Sequence, residues 1–416
     1  MKVGGDCRGD PIVPRVMPKD ARCFASLIVP GGLDYDLREA GKRMRPAIKT
    51  SAMISLILAI ASCRAPDRSS WTERLDAHLE GLAAAGEPGL AVLVVDDGRV
   101  VFERAIGVTD LRTRRGIDGA TNFRLASVTK QLTAASVMLL VRDGKLGYED
   151  RLTDIFPEFP EYGRPITVRH LLHHTSGLPD YEDLMPPADP SVPLEEVQIR
   201  DEGVLDLLQK QAAGEFTPGT RWAYSNSAYV LLGLAVAKAS GQPFGEFLRD
   251  RVFTPLGMSG TVAHEPGRDD VPNRAYGHTL EDGRWRETDQ SPTSATLGDG
   301  GVYSSLADLL AWDEALRRHA LLSEAEMRPA LTPAPVTRGL RKDVDGRPVA
   351  YGFGWYLNPW RGRPRMWHTG ETAGFRTAIM RFTGDGLTVI VLGNRADLDA
   401  RRLALKAAEL CLSGRH

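Results

Sequence analysis

Cysteine is scarce in this chain: four in 416 residues, at Cys7, Cys23, Cys63 and Cys411. From Cys63 onward only Cys411 is left, so no internal disulfide framework can hold the body of the chain. Cys411 sits at helical spacing in "LALKAAELCLSG" and reads as a core residue. Charge of one sign is lacking too. The 52 Lys+Arg and 54 Asp+Glu nearly cancel to −2, and basic residues occur in short scattered runs such as Arg114-Arg115, Arg317-Arg318 and Arg401-Arg402. Such a surface excludes a nucleic-acid partner. The apolar run Ala52–Ala61 has ten residues, where a bilayer-spanning helix needs about 20. No repeat, low-complexity tract, H-E-x-x-H zinc motif or G-x-S-x-G nucleophile elbow occurs. His170, His173 and His174 have the i, i+3, i+4 spacing of a metal pair, but nothing else in the pattern asks for zinc. No metal and no organic cofactor is expected.

What is present begins with an export signal. "MRPAIKTSAMISLILAIASC", Met44 to Cys63, has a basic start, an apolar stretch and small residues before a cysteine. Ile60-Ala61-Ser62-Cys63 resembles a bacterial lipobox, which implies lipidation of Cys63 and a membrane-anchored, periplasmic protein. Residues 44–62 are then a lipoprotein-type signal peptide and 63–75 a polar tether. Residues 1–43 read as a mis-assigned start or a disordered leader. Beyond residue 62 the chain carries 42 basic and 48 acidic side chains, net −6.

Residues 76–412 carry the pattern of a folded domain. "TERLDAHLEGLAAAG" has helical period, and "GLAVLVVDDGRVVFERAIGV" reads as a hairpin about Asp97-Gly98. A helix begins near Ser127 and closes at Gly144. The middle third is helix and loop, with "DLMPPADPSVPLEE" as a proline-rich rim. Strands return in "VAYGFGWYL", "PRMWHTG", "GFRTAIMRFTG" and "LTVIVLGN", and a last helix runs from about Asp397 to Leu412. Strands at both ends with helices between predict an α+β fold. One antiparallel sheet, from about 76–125 and 300–412, is flanked by helices, and a mostly helical lobe from about 126–299 is inserted. The cleft belongs where lobe and sheet meet.

The chemistry starts at "RLASVTKQLTA". Ser127 and Lys130 are three apart at a helix start and can touch. A hydroxyl needs a base to become a nucleophile, and a lysine among apolar neighbours is pushed toward its neutral, basic form. A helix N-terminus also favours the negative charge of a tetrahedral intermediate. This is the one S-x-x-K among ten lysines. Two further segments stand downstream: Tyr224-Ser225-Asn226 in "PGTRWAYSNSAYVLLG", and His368-Thr369-Gly370 in "MWHTGETAGFRT", read as the end of a strand and the start of a turn. The second Y-x-N, Tyr356 to Asn358, lacks the turn and following helix and reads as a decoy.

S-x-x-K, then Y-x-N, then H-T-G, in that order, resembles the serine β-lactamase-related family: class C β-lactamases, D-alanyl-D-alanine carboxypeptidases, D-aminopeptidases and related esterases. "LLHHTSGLPDY" and "GDGGVYSSLADLLAW" extend the resemblance, which covers roughly Ala77 to Leu412 and implies a β-lactamase/transpeptidase-like fold. It implies that Ser127 forms an acyl-enzyme while Lys130 and Tyr224, as phenolate or hydrogen-bonded phenol, move its proton. Asn226 orients lysine or substrate. His368, Thr369, Gly370 and Glu371 line the opposite wall, with the N–H groups of Ser127 and Glu371 as oxyanion hole. His174 is a scaffold residue of the H-T-S-G-L segment, and Trp222 and Trp367 pack beneath the motifs. The acidic turn after it, Asp180 to Asp183, reads as solvated.

Position 368 departs from the class C β-lactamase pattern, which has lysine there. A mostly neutral histidine holds a penicillin carboxylate less well, and Glu371 would repel it. The expectation is therefore an exported serine hydrolase of amides or esters, of carboxypeptidase, D-aminopeptidase or esterase type, acting on a small molecule or peptide. β-Lactamase action, or a penicillin-binding or sensor module without turnover, are the alternatives.

Overall fold

Asp97 and Gly98 both have positive φ, 47° and 78°, as a two-residue hairpin loop with the right-handed strand twist requires. They join β1 (Leu90–Asp96) to β2 (Arg99–Ile106). The computed structural model describes residues 70–414 apart from positions 188, 190, 269, 344 and 345. The leader, signal peptide and Cys63 lie outside the described residues.

Five more strands complete the sheet: β3 (Ala350–Tyr351), β4 (Tyr356–Leu357), β5 (Met366–Thr372), β6 (Phe375–Phe382) and β7 (Leu387–Gly393). All neighbours are antiparallel, in the order β2-β1-β7-β6-β5-β4-β3. The chain's distant ends thus share one sheet, because β1 pairs directly with β7. Every residue of β7 is buried, which requires cover on both faces. Helix α1 (Trp71–Glu80) and the last helix, α5 (Ala400–Ser413), pack on each other and on the sheet; α4 (Leu306–Arg318) packs on β1 and β7. Cys411 is buried in α5.

In the lobe, α2 (Lys130–Arg142) packs on α3 (Asn226–Ser240). Both ends of α3 follow from sequence. Ser225 caps its start by accepting from Ala228 N–H at 3.1 Å, and Gly241 ends it in the left-handed region at φ 78°.

The structure corrects three details. Helix α1 begins at Trp71 behind a Ser70–Glu73 capping box, so residues 71–75 are helical rather than tether. The span read as helical lobe also holds the strand Val262–Ala263 and a hairpin, His278–Glu281 with Arg284–Glu287. Its Asp282-Gly283 turn repeats the positive-φ pair of the first hairpin. His368-Thr369-Gly370 does not end a strand: β5 continues to Thr372, and the turn is Ala373-Gly374.

Candidate active site

Ser127 lies in a 3₁₀ turn, Ala126–Thr129, that runs directly into α2. Side chains at i and i+3 eclipse in such a turn. Lys130 Nζ accordingly donates to Ser127 Oγ at 3.0 Å. Ala126, just before the serine, has φ 48°, a left-handed conformation that costs an alanine energy and marks a constrained turn.

Lys130 is completely buried, and its ammonium has three acceptors: Ser127 Oγ, Asn226 Oδ1 at 2.9 Å and the Asp299 carbonyl at 2.8 Å. Burial pushes its pKa down to about 8, against the pull of Asp299 and other nearby acids. At neutral pH a usable fraction is therefore free base. Tyr224 is affected in the opposite direction. Burial raises its hydroxyl far above the usual tyrosine range despite the Ser127 side chain bonded to it. That direction favours the hydrogen-bonded phenol over the phenolate, of the two forms expected for Tyr224. Lys130 Nζ sits 5.0 Å from the Tyr224 ring centroid and 5.6 Å from that of Tyr229, contacts that favour the cation modestly.

These values give a signed pH dependence. If neutral Lys130 takes the Ser127 proton, the second-order acylation rate rises with pH through about 8 and levels above it. Stopped-flow acylation between pH 6 and 9.5 checks this; a flat or falling profile would contradict the role.

Strand β5 closes the other side. Beyond Trp367 it has no partner on the β4 side among the described residues, and that part of the strand packs against the Ser127 turn. Gly370 makes the approach possible, since a Cβ there would lie 2.0 Å from the Leu125 carbonyl oxygen. Thr377 Oγ donates to the same oxygen at 2.8 Å. Thr369 is half-buried and Glu371 exposed at this edge. His368 is placed differently from the expectation. It is buried, its Nδ1 bonds its neighbour's carbonyl on Thr369 at 2.7 Å, and its Nε2 accepts from Tyr351 hydroxyl at 3.0 Å. With both nitrogens engaged it lies beneath the wall rather than offering a ring nitrogen to the cleft. Burial, then the Lys130 charge, pushes its pKa down to about 3, so it supplies no cation.

The remaining motif residues fall into place around this cluster. Trp367 stacks on Tyr356 at 4.7 Å, and its indole N–H donates to Asn358 Oδ1 at 2.6 Å. The second Y-x-N is thus structural packing. Trp222 is buried against Tyr224 and Tyr351. The three histidines do not converge: His170 Nδ1 meets Thr167, His173 Nδ1 meets the Tyr351 carbonyl, and His174 Nδ1 accepts from Ser225 N–H.

In the acidic turn Glu182 and Asp183 are exposed, as read from the sequence, and Asp180 is half-buried. Asp180 caps a short helix, Tyr181–Leu184, and Glu182 Oε1 accepts from Asn226 Nδ2 at 3.2 Å. Asn226 therefore bridges Lys130 and Glu182. Tyr181 N–H and the Pro179 carbonyl both bond Ser227 Oγ, tying this turn to α3. Desolvation raises both carboxyls; Asp183 and Asp299 raise Asp180 further, and Asp180 and Asp299 raise Glu182. The signal in the sequence is the pair of acids that closely follows the H-T-S-G-L segment.

A serine, a buried lysine and a tyrosine meeting between sheet and lobe define a serine hydrolase. The chain belongs to the Beta-lactamase family, whose match covers residues 75–412. It is similar to penicillin-binding protein 4* of Bacillus subtilis (strain 168), 32% identical over 341 residues, 78% of this chain and 72% of that one. It is also similar to a D-aminopeptidase of Gluconobacter oxydans (strain 621H), 26% identical over 332 residues, 78% of this chain. The chain spans 59% of that aminopeptidase's length. Among solved structures, a D-amino acid amidase from Ochrobactrum anthropi SV3 complexed with L-phenylalanine amide has TM-score 0.69 and 25% identity. That comparison covers 84% of this chain and 100% of the amidase.

Proposed function

We propose that this protein is an exported serine amidohydrolase that cleaves amides of amino acids bearing a free α-ammonium, in the manner of a D-aminopeptidase. The observation that carries the reading is Asn226, which joins the Lys130 ammonium to the Glu182 carboxylate. A substrate carbonyl at Ser127 then has carboxylates within reach of its α-substituent. Two acids raised by partial desolvation and by neighbouring carboxylates gain from a cation placed beside them. The D-aminopeptidase and D-amino acid amidase relatives agree with this substrate class.

In the proposed cycle, neutral Lys130 takes the Ser127 proton as Oγ adds to the carbonyl carbon. The N–H groups of Ser127 and Glu371 hold the oxyanion. Tyr224 passes its hydroxyl proton to the leaving nitrogen and is reprotonated from Lys130, so the C–N bond breaks with no net change in the enzyme's protons. Water then attacks the ester, and the same groups return the proton to Ser127.

The test compares D-alanine p-nitroanilide with its N-acetyl form. The free amine is expected to be preferred by about 10–100-fold in kcat/KM, the worth of one charge-assisted hydrogen bond. Glu182→Gln should remove most of that preference. Equal rates for the two substrates, unchanged by Glu182→Gln, would overturn the assignment.

One observation favours a second reading, a carboxypeptidase. Arg341, Arg376 and Arg401 line an open depression shared with Thr369, Gly370 and Glu371, where a C-terminal carboxylate would be held. Release of D-alanine from a D-Ala-D-Ala peptide, with no hydrolysis of the anilide, would select it. β-Lactamase action is the weaker alternative because His368 is neutral. A non-hydrolysing penicillin-binding module would show a stable penicillin adduct and no turnover of either substrate.

Export and lipid anchoring rest on Met44–Cys63. No described helix is long and apolar enough to cross a membrane. Cys63→Ser should abolish lipidation and move the expressed protein from the membrane to the soluble fraction. Unchanged partitioning would refute the anchor.

A further inference from the structure

We infer that His174 is a positioning residue for Tyr224, holding the phenol on the Ser127–Lys130 pair by bonding the backbone on both sides of it. The inference rests on the reading of Tyr224 as proton-transfer partner. The main-chain carbonyl of His174 accepts from Ala223 N–H at 2.9 Å, and its ring Nδ1 accepts from Ser225 N–H at 3.1 Å. The two bonds straddle residue 224. The His174 ring also lies 4.4 Å, centroid to centroid, from the Tyr224 ring and 4.4 Å from Tyr351. One residue thus fixes both the turn that carries Tyr224 and the face of its ring.

Three features show that this arrangement is built. His174 is completely buried. Its φ is 58°, a left-handed conformation that a histidine adopts at some cost. To accept at Nδ1 the ring must be neutral with its proton on Nε2, and Nε2 has no hydrogen-bond partner among the described residues. Burial and the Lys130 charge keep the ring neutral, pushing its pKa well below the usual histidine range. The ring acts on the Tyr224 turn through Nδ1 alone. A side chain with an acceptor at the Nδ1 position and tolerance for positive φ should replace it. Asparagine meets both needs.

The test measures kcat/KM, with a melting curve for every variant. The substrate is an amide that the wild type hydrolyses, D-alanine p-nitroanilide or a D-Ala-D-Ala peptide, since the leaving nitrogen is what takes the Tyr224 proton. His174→Phe keeps a ring and loses the acceptor; His174→Gly keeps the backbone conformation and loses both. Each is expected to lower kcat/KM by about 100-fold, the scale of a misplaced catalytic group. His174→Asn should stay within about tenfold, the cost of the ring contacts alone. In a Tyr224→Phe background, His174→Phe should lower kcat/KM by less than about threefold more, because two residues that act as one unit are not additive. Its effect on the melting temperature should be alike in both backgrounds. Should His174→Phe not fold, His174→Gly takes its place in the cycle. Equal losses in both backgrounds, or an Asn variant as slow as the Gly variant, would overturn the inference. A wild-type kcat/KM for Tyr224→Phe itself would bring down the underlying role of Tyr224, and the inference with it.

Discussion

Lys130→Met is expected to slow acylation of Ser127 by about 10³–10⁴-fold, the upper range for loss of a general base. Methionine fills nearly the same length in a buried, apolar setting, so the serine and its turn stay in place. What disappears is the group proposed to take the proton. Among the described residues, no neighbour can substitute. Tyr224 is held as a phenol, and His368 has both nitrogens engaged. His174 directs its one acceptor nitrogen at Ser225 N–H. The substitution leaves Asn226 Oδ1 and the Asp299 carbonyl without the lysine, a loss of about 1–3 kcal/mol for each buried polar group. Removing an ammonium from a fully buried position offsets part of that. A cooperative melting curve with labelling near the uncatalysed rate is the expected pair of results. Labelling within tenfold of wild type would show that another base serves Ser127.

Gly370→Ala is the second large effect, and it acts through the backbone. A Cβ at 370 would stand 2.0 Å from Leu125 O and 2.4 Å from Thr377 Oγ1. The threonine could rotate away, but the carbonyl belongs to the chain two residues ahead of Ser127. Strand β5 and the nucleophile turn must therefore separate by about 1 Å, beyond what a packed core absorbs. About 3 kcal/mol of stability should be lost, with acylation falling about 100-fold as the Glu371 N–H leaves the oxyanion position. Chemical denaturation alongside labelling separates the two. Wild-type stability would mean that the contact yields more easily than its geometry implies.

Much of this architecture and chemistry is legible in the amino-acid sequence. Asp97-Gly98 announces a hairpin because only a positive-φ pair turns two strands so tightly. The serine-lysine contact follows from helical spacing, and Tyr224 and Asn226 from their place in a capped turn before an apolar helix. The failures have physical causes. The stretch Thr369 to Thr372 reads as a turn because glycine and polar residues are poor strand formers in isolation. It is strand because β6 pairs with it along its length. Gly370 is visible as a motif letter, yet its reason is Leu125, far away in sequence. His368 reads as a cleft residue because nothing local shows that Tyr351, from another strand, holds its outer nitrogen. Glu182 is exposed, as its sequence reads, yet no local pattern shows that Asn226, 44 residues on, comes to meet it.

The role of Ser127 as the acylated nucleophile underlies all of these expectations, and one measurement tests it most directly. The purified protein is treated with a fluorophosphonate, weighed intact, then digested to locate the label. One adduct per chain, on Ser127, with fluoride lost and none formed on Ser127→Ala, is the predicted result. An adduct of equal extent on the Ser127→Ala protein, or on a different residue of the wild type, would contradict the mechanism.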